Sequence, residues 1–450
     1  MTRGELGGVS VLVAGAGLAG LAAARDLMRS GADVAIVDAR SRVGGRVLTV
    51  RDAFTGGQHA EAGGDMIDEG QREIRSLADE LGLTLTRILR RGFGYAHQDG
   101  AGRTRMLGPS AARGWDRISE ALEAVIRPYQ LAEHSWDSPI AADLARRSVA
   151  GWLNDIKADR ELEATALGLR GFFLADPHEL SLLALVDQFA SSNDRPVGWK
   201  MYRIEGGNDR LVGALATMLG NRVKLHTEVV AVSHRGRAVR VSVKNGRAVS
   251  QLTCDYIVFA LPATLLRRIP ISPALPSQQH GAIARLSYGR ATRTLLQFSR
   301  RFWRAQGRPR AFGSSLPFGA LWEGNEDQRG PSGILSLLAG GGASDATQSM
   351  VAARGMTGLV GWLNWLGAAR GELIGSHQTV WEADPWARGG YAFFDSSYNA
   401  GFRSWLARPF GRLFFAGEHT SIRWQGYMNG AIESGRRAAA EVVATHRLAS

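Results

Sequence analysis

Cysteine is almost absent from this chain: Cys254 is the single one in 450 residues. No intrachain disulfide can form, cysteine-based zinc sites are excluded, and a reducing cytoplasm is the expected compartment. Lysine is nearly as scarce. Lys157, Lys200, Lys224 and Lys244 are the whole set, so the 54 basic residues are almost all arginine, a skew typical of a GC-rich genome. The formal net charge of +12 is dispersed along the chain. No basic block is interleaved with aromatics, which argues against a nucleic-acid partner. Long apolar runs are missing too. The longest, over about residues 9–24, is broken by glycines and followed by Arg25 and Asp26, so no membrane span is expected. Neither a secretory leader nor a tail anchor is expected from the two ends. The ten histidines are scattered without metal-ligand spacing, and no metal is expected.

Glycine is abundant, with 56 residues, and the composition is that of a globular protein, 45% hydrophobic and 21% charged. The length suggests two or three domains. Residues 9–14 read as a buried strand, 18–29 as a helix ended by Gly31, and 33–38 as a second strand, which is a βαβ opening. A helix comes next over 70–82. Helical patterns then dominate from about 108 to 195, at 116–126, 139–157, 159–170 and 178–190. Residues 222–262 read as strands with a hairpin turn at Lys244-Asn245-Gly246. Further strands are expected at 290–300, 333–339 and 412–416, and helices at 344–368 and 425–445. The expected fold class is α/β.

Gly15-x-Gly17-x-x-Gly20 comes after a strand and opens a helix. The first glycine permits the tight turn, the second lets a pyrophosphate approach the backbone, and the third lets helix and strand pack closely. The helix N-terminus then offers free N–H groups and the positive end of its dipole. Asp38, at the end of the second strand, can accept hydrogen bonds from ribose hydroxyls. A dinucleotide is the expected ligand.

The segments C-terminal to Asp38 separate FAD from NAD. Arg40, Gly44-Gly45-Arg46, Glu61-x-Gly63-Gly64-Asp65 and Phe414-Phe415-Ala416-Gly417-Glu418 stand in this order. They resemble the FAD segments of glutathione-reductase-like flavoproteins, in which an arginine supports the pyrophosphate and the late strand and turn reach the ribityl chain. With Trp381, Gly389-Gly390-Tyr391 and Gly426-Tyr427-Met428-x-Gly430-Ala431, the chain resembles the flavin amine oxidase family. That family contains monoamine, polyamine, L-amino acid and 6-hydroxynicotine oxidases. The resemblance is strong over 9–90 and 381–440, moderate over 200–300 and weak in the helical stretch.

The resemblance implies a glutathione-reductase-like Rossmann FAD-binding domain, assembled from 1–85, 205–276 and 384–450. An inserted α+β substrate domain and a helical insertion would occupy 86–204 and 277–383. It implies hydride transfer from an amine α-carbon to flavin N5, hydrolysis of the resulting imine, and O2 as the electron acceptor, giving H2O2. A homodimer is compatible with it. Cofactor contacts would come from Gly15, Gly17, Gly20, Asp38, Arg40, Gly45, Arg46, Gly63, Gly64, Asp65, Val229, Gly417, Glu418 and Met428. Tyr391 and Tyr427 would wall the amine before the flavin, with Trp424 beside them. Lys200 falls near a position that lines monoamine oxidase pockets.

Three departures matter. Gly390 stands where monoamine oxidases carry the flavin on a cysteine, so FAD is expected to be non-covalent. Arg293 stands where many members keep a lysine near flavin N5. Its guanidinium cannot replace an ammonium at the same point, which leaves O2 or another acceptor open. Ile67 stands where L-amino acid oxidases commonly clamp the substrate carboxylate with an arginine. A primary or secondary amine with an aromatic or bulky apolar substituent is therefore the expected substrate. An L-amino acid bound through a relocated arginine, such as Arg90 or Arg91, is the alternative. A C–C desaturase and a non-catalytic FAD-binding protein fit the tyrosine pair less well.

Overall fold

The computed structural model describes residues 5–99, 101–106, 114–190, 200–304 and 308–449. Its nucleotide-binding half is a five-stranded parallel sheet with the order Val223–Lys224, β2 (Asp33–Val37), β1 (Ser10–Ala14), Tyr256–Phe259 and Leu413–Phe415. Three separated stretches of chain thus supply one sheet. β1 lies between two neighbours, with Val11 opposite Tyr256 on one side and Val34 on the other. That explains its unbroken apolar run: a central parallel strand is covered on both faces and has no polar side to alternate with.

Helix α1 (Leu18–Arg29) leaves β1 through the glycine loop. It packs against the C-terminal helix Met428–Ala449 at very short range, because a Cβ on Gly435 would lie 2.2 Å from the carbonyl oxygen of Ala19. The two ends of the chain are locked together there, directly behind the loop. A four-stranded sheet, Ala248–Cys254, Val239–Asn245, Glu228–Ser233 and Ile271–Ser272, caps this half and contains the expected hairpin, with Gly246 at φ +59. Cys254 is buried in it, its Sγ 3.8 Å from the carbonyl of Val239.

The other half is built on a mixed seven-stranded sheet. Its order is Leu373–Val380, Ala291–Phe298, Gly333–Gly340, Ala320–Glu323, Ala311–Ser314, Phe93–Gln98 and Thr104–Met106. Only Ala291–Phe298 and Gly333–Gly340 match strands read from the sequence. The short central strands carry buried aromatics on both faces and show no alternation.

The helical region is also more broken than its pattern suggests. The span 139–157 is two helices, Pro139–Ala145 and Val149–Asp155, because Ser148 caps the second by accepting from the Gly151 amide at 3.0 Å. Residues 344–368 likewise divide into Gly342–Arg354, Thr357–Gly361 and Asn364–Leu366. The parts of the helical reading at 108–113 and 191–195 lie outside the described residues. No helix among the described residues is long and apolar enough to cross a membrane.

Replacing Gly435 by Val is expected to force α1 and the C-terminal helix apart, at a cost of about 3 kcal/mol. Urea denaturation would show it as a lower midpoint, and an unchanged midpoint would place the helix contact elsewhere.

Candidate active site

The glycine loop has the form that a phosphate cradle requires. Gly15 has φ +108, and a Cβ there would lie 2.7 Å from the carbonyl oxygen of Ala260. A Cβ on Gly20 would lie 1.9 Å from the Gly15 oxygen. Gly17 is different, since nothing lies within 4 Å of its Cβ position. It is also the N-cap of α1 and makes no side-chain cap, so the first helical amides are left for a ligand.

Asp38 closes the next corner. Its carboxylate accepts from the amides of Ala16 at 2.7 Å and Arg40 at 2.8 Å, and burial pushes its pKa up. Thr227 and Val229 line the same cavity beside Asp38. The Arg40 guanidinium also reaches this wall, where it forms a two-pronged pair with Asp384 at 2.8 and 2.7 Å.

Arg46 and Glu418 join the two ends of the sequence. Arg46 Nη1 donates to Glu418 Oε1 at 2.9 Å and to the Gly390 carbonyl at 2.7 Å. Glu418 in turn accepts from the amides of Ala392 at 3.3 Å and Gly426 at 2.9 Å. Gly417 has φ +130, and a Cβ on it would strike the His419 ring. His419 is fully enclosed, and burial pushes its pKa down to about 4, so it stands neutral beside Glu418. Gly45, at φ +56, turns the chain into Arg46, and Arg42 braces that turn by donating to the carbonyls of Val43, Gly45 and Val47. Gly63 and Gly64 complete the floor. Side chains there would strike the Arg46 backbone and Met428 respectively.

Beyond this floor stands an aromatic chamber. Tyr391 and Tyr427 both line it. The Tyr391 hydroxyl donates to the Phe172 carbonyl, and burial raises its pKa, so it stays neutral. Phe93, Tyr95, Phe172, Trp322 and Trp381 form other walls. Phe93 and Phe172 have ring centroids 5.4 Å apart.

Arg293 also faces the cavity and is almost wholly buried. It donates to Ser336 Oγ at 2.8 Å and to the Gly63 carbonyl at 3.3 Å, and its guanidinium lies 4.5 Å from the Trp322 ring centroid. Asp65 is the counter-ion of this region. It pairs with Arg203, accepts from Trp322 Nε1 at 2.7 Å, and lies 3.7 Å from Arg293.

Three expected pocket residues are corrected. Ile67 is fully buried in the core with Ile74, Leu77 and Leu211 and does not line the cavity; its neighbour Met66 does. Lys200 is exposed and pairs with Glu69 at 3.5 Å, while Met201 faces the cavity. Trp424 is absent from the wall and backs Tyr427 edge-on, with 5.8 Å between ring centroids. Arg90 and Arg91, the arginines considered for a relocated carboxylate clamp, do not reach the cavity either. Asp65, expected at the cofactor, has its carboxylate oxygens engaged by protein donors.

One cavity of about 1290 Å³ contains both the glycine cradle and the chamber. A family model for flavin containing amine oxidoreductases matches residues 18–443. The chain belongs to that family. Amine oxidase A of Sus scrofa is 26% identical over 470 residues, covering 97% of this chain and 85% of the relative. The Mycobacterium tuberculosis protein assigned as flavin-containing monoamine oxidase AofH is 29% identical, over 97% of both chains. Cyclohexylamine oxidase from Brevibacterium oxydans superposes with a TM-score of 0.85 at 26% identity, over 98% of this chain and 100% of that one. A putrescine oxidase double mutant gives 0.84 at 25%, over 97% and 99%. The protein is therefore a flavin-dependent oxidoreductase acting on amines, with the glutathione-reductase-like architecture of its relatives.

FAD fits the residues present. Gly17 leaves open the space where a side chain would block a phosphate, the α1 amides are uncapped, and Gly63 and Gly64 keep the floor flat. Phe172, Trp322 and Met201 were not singled out as pocket residues in the sequence, because they come from segments that carry no motif.

Glu61, just before this floor, is buried between the Thr49 hydroxyl and the Asn208 amide, each at 2.9 Å. Burial, helped by the charge of Asp65, pushes its pKa from 4.5 up to about 8. Between these values the folded protein holds a proton that the unfolded chain has released, so this group lowers stability as pH rises through the window. Urea titrations of wild type and Glu61→Gln at several pH values are expected to show the wild type losing ground to the variant from pH 4.5 to about 8. A pH-independent difference would mean that Glu61 titrates normally.

Proposed function

We propose that the protein oxidises a primary or secondary amine carrying an aromatic or bulky apolar substituent. The observation that carries this reading is that Tyr391 and Tyr427 line the same cavity as the glycine cradle, among apolar and aromatic walls. An amine must lose its proton before it can give up hydride. An enclosure of ring faces favours the neutral nitrogen, orients it, and keeps water away. Both tyrosines serve as positioning walls, and the carbonyl of Phe172 fixes the Tyr391 ring.

Gly15, Gly17, Asp38, Arg46 and Met428 would hold FAD, which when bound would supply the hydride acceptor and the route for electrons to O2, giving H2O2. The imine product would hydrolyse after release. Non-covalent attachment is our reading, since Gly390 offers no side chain and Cys254 is buried in another sheet. The L-amino acid alternative is not favoured, because neither Ile67 nor Arg90 nor Arg91 places a carboxylate clamp at the cavity. Arg293 is held by Ser336, Gly63 and Asp65. It is a fixed charge, unsuited to suspending a water at a single point as an ammonium would.

Peroxide release, screened over amines and L-amino acids with the yellow protein, tests the reading. Turnover of L-amino acids alone would overturn it, and FAD staying with acid-precipitated protein would overturn non-covalent binding. Tyr427→Ala is expected to slow anaerobic flavin reduction by roughly 10- to 100-fold. A silent substitution would remove Tyr427 from the amine wall. Arg293→Lys is expected to speed reoxidation by O2 in stopped-flow measurements, and an unchanged rate would place Arg293 away from the oxygen site.

A further inference from the structure

The cavity lining also carries polar groups besides the tyrosine pair. Helix Leu182–Ala190 contributes Ala184, Asp187 and Gln188 to its lining, together with Trp136 and Phe394. Trp136 and Phe394 pack with ring centroids 4.6 Å apart. Ile422 and Arg423, both exposed, line the cavity as well, so it opens to solvent at their turn.

Asp187 has an unusual set of neighbours. The Tyr129 hydroxyl lies 2.6 Å from its Oδ1 and 3.0 Å from the His134 carbonyl oxygen. The hydroxyl shares its one proton between the two acceptors, so it satisfies the Asp187 carboxyl only in part. Burial raises the pKa of Asp187, against the opposing pull of the Tyr129 hydroxyl, Arg403 and His134.

No cation among the described residues forms an ion pair with this carboxyl. Arg403 is spent on the carbonyls of His419 and Ser421 and on the faces of Trp136 and Phe394. A carboxyl group on a cavity wall without a counter-ion is complementary to a ligand that brings one.

We propose that Asp187 is a specificity-determining residue that anchors a second, cationic nitrogen of the substrate. The preferred substrates would then be diamines with an apolar spacer. This rests on the amine-oxidase reading above and names its substrate class more closely. The two parts of the lining ask for opposite protonation states. The tyrosine walls receive the neutral, reacting nitrogen, and Asp187 receives the distal ammonium beside the Tyr129 hydroxyl. An amino acid carboxylate would meet an acidic group here, and a simple monoamine would leave Asp187 with the Tyr129 hydroxyl and no cation.

The test is anaerobic calorimetry on the full-length, FAD-loaded enzyme with α,ω-diamines and n-alkylamines of matched carbon number. Wild type is expected to bind the diamine roughly 10- to 100-fold more tightly, the worth of a charge-assisted hydrogen bond. Asp187→Asn is expected to bring that ratio close to unity, and Asp187→Glu to restore part of it. Flavin absorbance reports whether each variant retains its fold. Absence of a diamine preference in wild type overturns the proposal whether or not the variants fold, and so does a preference that Asp187→Asn retains. Flavin bleaching by monoamines with no diamine preference sinks this inference alone. A diamine preference without bleaching by any amine sinks the oxidase reading and leaves the anchor standing.

Discussion

The contact on which the site depends is the pair between Arg46 and Glu418. It is a charge-assisted hydrogen bond, mostly dehydrated, between residues 372 apart in sequence. Taken alone, such a pair adds little to stability, because desolvation offsets most of the Coulomb attraction. Its value is positional. Arg46 also holds the Gly390 carbonyl, and Glu418 holds the amides of Ala392 and Gly426. The segments that carry Tyr391 and Tyr427 are thus referenced to the N-terminal turn after β2. Removing either partner would leave a buried charge facing a cavity and free two loops at once. The cofactor floor and the substrate walls therefore share one mechanical origin.

A second buried group works differently. Asp65 collects Arg203, Arg293 and Trp322 on the far side of the floor. Asp327, 3.7 Å from Arg203, supplies the second negative charge, so the two arginines are offset within the wall and the chamber presents ring faces with little net charge. Arg293 has exchanged mobility for burial. It faces the cavity as a rigid, delocalised cation.

The nucleotide half was legible in the sequence because its constraints are local. A tight turn demands glycine, a central parallel strand demands apolar residues, and both fall within one short stretch from Val9 to Gly20. The place of the two tyrosines on the cavity was legible through the family resemblance of the segments that carry them. The errors came from alternation. Met66 and Asp68 face the cavity while Ile67, between them, faces the core, as a period of two requires. The same one-residue offset separates Lys200 from Met201. The chamber walls were not legible at all. Phe93 and Trp322 come from separate strands of the seven-stranded sheet and Phe172 from the short helix Arg170–Phe173 packed on it, and the contact that holds Tyr391 is to a main-chain oxygen, which leaves no trace in residue type. Asp187 lay in a helical pattern where a single acid reads as surface.

Cys254 offers a last consequence. It lies buried at the end of strand Ala248–Cys254, against Leu12 of β1, and desolvation pushes its thiol up to about 11. At neutral pH it holds no thiolate. This amine oxidoreductase thus exposes no reactive sulfhydryl to oxidants. For the experimentalist, the molecule is close to a blank surface, on which one introduced cysteine would be the single site that a maleimide dye finds.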